Sequence, residues 1–188
     1  MPFQSTEYPC LLIFEPVVFV DNRGCFFESY NENVFRNKGI DIRWVQDNQS
    51  VSNYGVIRGL HYQLPPYAQS KLVRVNRGKI LDVVVDLRKG SPTFGKTFSK
   101  ILSAKNRRAI FVPKGFAHGF SVLSKSADVI FKCDTFYNKE SEAGIIYNDA
   151  ELNIEWRNPA ESIVISEKIK NFPVLLIAET ALYLKADG

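Results

Sequence analysis

The feature that most limits how this chain can fold is its rhythm of short apolar, β-branched runs cut at close intervals by turn residues. Such runs occupy residues 12–20, 25–30, 43–46, 56–63, 71–76, 79–87, 97–103, 109–112, 118–123 and 128–136. Asp21-Asn22-Arg23-Gly24 separates the first two, and Arg77-Gly78 sits between two others as a tight hairpin turn. Residues 161–165 offer one more strand. Many strands at short spacing, with hardly any helical period, predict an all-β sandwich or barrel. Short helices fit only at its edge: one over 31–39, ending at Gly39, and a terminal helix or tail over 174–188, its start marked by Pro173. Repeats, low-complexity stretches and linkers are lacking, so residues 1–188 read as one domain.

Size and composition agree. The 188 residues are close to one domain at about 150 residues each. A hydrophobic share of 45% and an aromatic share of 13% suit a sizeable core. No apolar run approaches the roughly 18–20 residues of a membrane span, and the first residues lack the basic and apolar regions of a secretion signal. Membrane and exported locations are therefore not expected. The net charge of +4 is spread along the chain, and Lys105-Asn106-Arg107-Arg108 reads as a solvated loop, so no nucleic-acid partner is expected. Cys10, Cys25 and Cys133 are far apart and form no CxxC pair, which disfavours a zinc–thiolate site or a disulfide framework and points to reducing cytoplasm. With His61 and His118 as the two histidines, a three-ligand metal site is not expected either, nor is any cofactor.

Four segments carry more polar chemistry than a core requires: Asp21 to Glu28, Gln46 to Ser50, Arg58 to Gln63 followed by Lys71, and Pro113 to Phe120. Each has a plain structural reading by itself. Asp-x-Arg-Gly makes a turn, Gln46 and Asn48 satisfy a sheet edge, Lys71 is solvated at a strand start, and a lone histidine is more often hydrogen-bonded than catalytic. Their joint occurrence on the strands of a small β barrel favours a site. Arg58 and His61 pose a parity problem, because odd spacing on a regular strand sends two side chains to opposite faces. Either Gly59 introduces a bulge or one of the two serves another subunit.

The runs Val56-Ile57-Arg58-Gly59-Leu60-His61-Tyr62-Gln63, Lys71-Leu72-Val73-Arg74-Val75, Ser91-Pro92-Thr93-Phe94-Gly95 and Pro113-Lys114-Gly115-Phe116-Ala117-His118-Gly119-Phe120 resemble the dTDP-4-dehydrorhamnose 3,5-epimerase family. So do Asp21 to Glu28, Gln46-Asp47-Asn48 and Tyr147-Asn148-Asp149. The resemblance implies a cupin-type antiparallel jelly roll (a double-stranded β-helix), a homodimer, no metal, and a role in making sugars for surface polysaccharide. The implied ligand is a 4-keto-6-deoxy sugar on a nucleoside diphosphate. A ketone acidifies the hydrogens on its neighbouring carbons, so epimerisation needs a base on one face, a stabiliser for the enolate oxygen, and a proton donor on the other face.

By the resemblance, His61 is the base, Lys71 the electrostatic partner of the oxyanion, and His118 a neighbour of the ketone. Arg23 and Arg58 match phosphate contacts, suited to a guanidinium fork. Phe26, Glu28, Gln46, Asp47 and Asn48 match contacts to nucleotide or sugar, Tyr137 the ring that stacks on the base, and Glu142 and Lys168 further binding positions. Two positions depart from the family pattern. Phe131-Lys132 stands where the family has its acid, a tyrosine followed by lysine, and Ser166-Glu167-Lys168-Ile169 where it has Ser-x-Lys-Asp, whose aspartate pairs with the base. A phenyl ring cannot donate a proton and an isoleucine cannot hold imidazole in one tautomer. An orienting carboxylate is worth about 10⁴ in rate in a triad enzyme, and a general acid about 10²–10⁴. Glu167 or Asp134 are candidate substitutes for the carboxylate, and Tyr62 or Tyr137 for the acid. Three readings follow: an epimerase of ordinary or altered chemistry, a non-catalytic nucleotide-sugar binding protein, or a structural partner of such enzymes.

Overall fold

The computed structural model describes residues 2–175. The strands, in chain order, are β1 (Phe3–Ser5), β2 (Leu12–Phe14), β3 (Val18–Asp21), β4 (Gly24–Phe27), β5 (Gln46–Asn53), β6 (Ile57–Gln63), β7 (Lys71–Arg77), β8 (Lys79–Asp86), β9 (Thr97–Ser103), β10 (Ala109–Val112), β11 (Phe116–Val122), β12 (Ser126–Cys133) and β13 (Glu142–Gly144). Helix α1 (Glu32–Asn37) follows β4, and a 3-10 turn (Ala160–Ser162) and α2 (Glu167–Lys170) follow β13. One sheet has the order β1-β2-β10-β7-β12-β5 and the other β13-β6-β11-β8-β9, while β3 and β4 form a separate ribbon. Every ladder is antiparallel. The architecture is the all-β jelly roll with short peripheral helices that the resemblance implies.

Three apolar layers hold it together. Between the sheets, Val73, Val75 and Val129 of one pack against Ile80, Val84, Phe116 and Phe120 of the other. Behind the five-stranded sheet, Leu81, Val83 and Val85 meet Ile145, Leu152 and Trp156 of the C-terminal segment. Behind the six-stranded sheet, Leu12, Leu72 and Phe111 meet Phe35 of α1. Strand β8 is thus covered on both faces, which explains its near-continuous apolar run; alternation appears only on hydrophilic-faced strands. Asp149 tethers the C-terminal segment: its Oδ1 accepts from the Glu151 and Leu152 amides and its Oδ2 from the Leu175 amide.

Several strand expectations change. The run 12–20 splits into β2 and β3 at Pro16, which has no N–H to give a ladder. Residues 43–45 are not a strand; Trp44 instead packs on Tyr30 and Phe111, and the ladder begins at Gln46. Arg77-Gly78 does not close a hairpin, because β7 pairs with β10 and β12 while β8 pairs with β11 and β9; the turn carries the chain from one sheet to the other. Residues 161–165 contain the 3-10 turn and one parallel bridge, Val56 to Val164, rather than a strand. The Asp21–Gly24 hairpin and the helix at 31–39 are present, the latter capped by Asn31. Of the expected terminal element, residues 176–188 lie outside the described residues.

Candidate active site

The parity problem of β6 resolves at Gly59. The β6–β11 register slips between His118 and Phe120, and Gly59, at φ 111°, lies so close to β11 that a Cβ there would sit 2.5 Å from the Gly119 Cα. The bulge restores alternation: Ile57 and Leu60 enter the outer layer, while Arg58 and His61 both face the space between the sheets. Opposite them, the inward positions of β7 and β12 supply Lys71 and Phe131, and β5 supplies Asn48 and Ser50.

These side chains line a cleft of about 620 Å³, closed on one side by Val164, Ile165, Ser166 and Ile169 of the C-terminal segment. A second compartment of about 330 Å³ shares Asn48, His61, Lys71 and Phe131 with the first and extends to Gln46, Cys133, Tyr137 and Glu142. The open space is therefore one bent cavity whose elbow carries His61, Lys71 and Phe131.

His61 is poised neutral. Burial, then the Lys71 ammonium, push its pKa down to about 4; Glu142 works the other way, while Lys168 and His118 add to the lowering. Burial also lowers Lys71, against the pull of Cys133, Asp82 and Glu142. The Cys133 thiol is driven up to about 11, chiefly by burial, which keeps it protonated and unreactive. Phe172 meets the His61 ring edge-on at 5.3 Å. It can do so because β13 places Gly144 opposite His61, and any Cβ there would strike the Phe172 ring.

His118 Nε2 lies 2.8 Å from Oδ2 of Asp82, a carboxylate buried completely in the centre of β8. Asp82 was not anticipated from sequence. Its signal was there: an acid in the middle of a largely apolar strand needs a partner. Other expected site residues lie elsewhere. Asp47 faces away from the cleft and pairs with Lys132, since it alternates with Gln46 and Asn48 on β5. Arg23, Phe26 and Glu28 are on or beside the β3–β4 ribbon and line no part of the cleft; Arg23 is solvent-exposed and forks onto Asp21. Lys168 stands at the rim and grips Glu142 rather than open space. Glu167 pairs with Lys170, and Asp134 with Lys114 and the Ser70 amide, so neither reaches His61. Phe131 and Ile169 both line the cleft as apolar walls.

A neutral imidazole, an ammonium and a guanidinium facing one cavity can hold an anionic ligand beside a group able to accept a proton. Comparison with known proteins agrees. Residues 5–176 match the family model described as dTDP-4-dehydrorhamnose 3,5-epimerase. The dTDP-4-dehydrorhamnose 3,5-epimerase of Shigella flexneri is 53% identical over 165 residues, covering 87% of this chain and 90% of that protein. The crystal structure of a Legionella pneumophila dTDP-6-deoxy-D-glucose-3,5-epimerase in complex with dTDP-4-keto-L-rhamnose superposes with a TM-score of 0.91 at 44% identity, covering 98% of each chain. A double mutant of a 3'-monoepimerase from Streptomyces bikiniensis, solved in complex with dTDP, superposes with a TM-score of 0.87 at 32% identity over 94% of this chain and 88% of that one. In that mutant asparagine replaces a histidine and phenylalanine a tyrosine seventy positions further on, the separation of His61 and Phe131 here. The fold, the cleft and the match over nearly the whole chain together place this protein in the dTDP-4-dehydrorhamnose 3,5-epimerase family.

Proposed function

We propose that the protein is a cytoplasmic, single-domain, cofactor-free epimerase of nucleoside-diphosphate 4-keto-6-deoxy sugars for surface polysaccharide, and that its proton transfer is one-sided. The observation that carries this is the convergence of Arg58, His61, Lys71 and His118 on one cleft. Arg58, its Nε donating to Ser52 Oγ, presents the rest of its guanidinium to the diphosphate. His61 takes a proton from the carbon next to the ketone, and the Lys71 ammonium stabilises the enolate oxygen that results. Gln46, Asn48 and Tyr137 line the second compartment, which receives the nucleotide end, with the Tyr137 ring against the base.

The opposite face of the sugar meets Phe131, which has no proton to deliver. Return of a proton from the His61 side regenerates substrate with solvent hydrogen at that carbon, so isotope exchange outruns inversion. The ligand-bound mutant that pairs phenylalanine with asparagine supports the view that a phenyl ring there leaves room for dTDP.

A second copy of the chain completes the site. Phe19, Val20 and Phe26 of the β3–β4 ribbon and Val17 just before it are 63–76% exposed, an apolar display that a partner would cover. Docked on a second copy, the ribbon carries Arg23, Phe26 and Glu28 to the partner's cleft. Light scattering is expected to give a dimer, and a monomer at micromolar concentration rejects the shared site.

Deuterium incorporation into dTDP-4-keto-6-deoxyglucose in D₂O, followed by NMR, tests the reaction. Exchange at one ring carbon with little inverted product is expected. Rapid inversion at two carbons overturns the one-sided mechanism. No exchange, with dTDP still bound, assigns the chain to the non-catalytic binding proteins of its family.

A further inference from the structure

By the resemblance, Ile169 stands where the family carries a carboxylate, yet a carboxylate still faces His61. Strand β13 pairs with β6 so that Gly144 lies opposite His61 and Glu142 opposite Gln63. A diagonal neighbour in an antiparallel pair is within reach of a long side chain, and Glu142 Oε1 comes to 3.4 Å from His61 Nδ1. The other oxygen, Oε2, is fully engaged: the Tyr137 hydroxyl donates to it at 2.5 Å and Lys168 Nζ contacts it at 2.5 Å. Those two contacts fix the carboxylate plane and hold Oε1 towards the imidazole. Burial favours the neutral acid, but the hydrogen bonds from Lys168 and Tyr137 prevail and keep the Glu142 carboxyl below the usual glutamate range.

His61 Nδ1 is buried and has no hydrogen-bond partner at this separation, while the ring still borders the cleft. Catalytic hydrogen bonds are often long without ligand and tighten in the complex; a closure of a few tenths of an ångström brings this pair to bonding length.

We infer that Glu142 is the positioning carboxylate of His61, doing from β13 what position 169 no longer does from α2. It binds the Nδ1 hydrogen, leaves the Nε2 lone pair for the substrate, and stabilises the imidazolium formed when Nε2 takes the proton. The inference rests on His61 being the base of the proposed reaction. The charged groups facing His61 are Glu142 from β13, Lys71 from β7, His118 from β11 and Lys168 from α2; Glu142 is the anion among them.

The geometry makes Glu142→Gln a sharp test. Tyr137 and Lys168 both donate to the Oε2 position, so the glutamine carbonyl must take that place and its NH₂ must face Nδ1. The imidazole then has to accept at Nδ1 and carry its hydrogen on Nε2, which leaves no lone pair for catalysis. Nitrogen-15 NMR of the two histidines reads this directly, with His61 assigned from His61→Asn. Nδ1–H is expected in the natural chain and Nε2–H in Glu142→Gln. The exchange rate should fall by about 10⁴, as the wrong tautomer costs a triad enzyme, with KM little changed. Nε2–H in the natural chain overturns the inference even if the variant fails to fold. So does an unchanged tautomer in the variant, or a raised KM with kcat intact, which marks a ligand contact only. The tautomer needs no substrate, so absence of exchange in the natural protein defeats the proposed reaction without deciding this pairing.

Discussion

The two sheets contribute very different chemistry to the cleft they enclose. The five-stranded sheet presents His61, with Glu142 behind it, and His118, with Asp82 behind it. Each imidazole is backed by a carboxylate. The six-stranded sheet and α2 present the Lys71 ammonium flanked by the apolar walls of Phe131 and Ile169. In the proposed reaction one side takes and returns a proton, and the other holds charge without exchanging hydrogen. In the reaction proposed for this cleft, the base side is kept and the donor on the opposite face of the sugar is lost. The lesson is that a catalytic pair distributed over two sheets can lose one member without disturbing the packing of either, because Phe131 fills the same inward position of β12 that a tyrosine would.

The widest contrast comes from the two residues at the elbow. His61→Asn should cut deuterium exchange by about 10²–10⁴, the usual worth of a general base. Phe131→Tyr should act in the opposite sense on a different observable: completed inversion rises, by up to about the same factor, while the exchange rate moves little. Product analysis beside exchange separates the two, and a Phe131→Tyr protein that gains no inversion would show that the missing hydroxyl is not what divides the two sides.

Proton linkage gives the next largest effect. The unfolded chain takes up a proton on His61 near pH 6.5, whereas the folded protein resists until about pH 4. Stability therefore falls as pH drops through that window, by about 3 kcal/mol at most. Urea unfolding at pH 7 and pH 4.5 measures the slope, and His61→Asn should flatten it.

Arg58→Ala should weaken dTDP binding by about 1.5–3 kcal/mol in calorimetry, the worth of a charge-assisted hydrogen bond. Ile169→Asp should have the smallest effect, no more than a few-fold in exchange rate. Glu142 already stands at Nδ1, and a second carboxylate beside it brings like-charge repulsion. A gain of a hundredfold or more from Ile169→Asp would mean that Glu142 does not serve the base and that the polar side is as impaired as the apolar one.

Alternation and turn residues carry the all-β architecture and most strand positions, because they act locally and report themselves locally, whereas the family resemblance carries the members of the cleft. Strands β9 and β10 are where the pattern puts them, and His61, Lys71, His118, Asn48, Phe131 and Ile169 all reach the cleft. Folding in three dimensions settled what spacing leaves open. It assigned Arg77-Gly78 to a sheet crossing, because pairing between strands is set by long-range contacts. It turned Arg58 and His61 to one face through a bulge at Gly59, and Asp47 away from the site its neighbours form. It brought Glu142 to His61 and Asp82 to His118 across strands distant in the chain. A contact between two side chains is a matter of a few ångströms in space, and residues that meet across a sheet carry no fixed separation along the sequence.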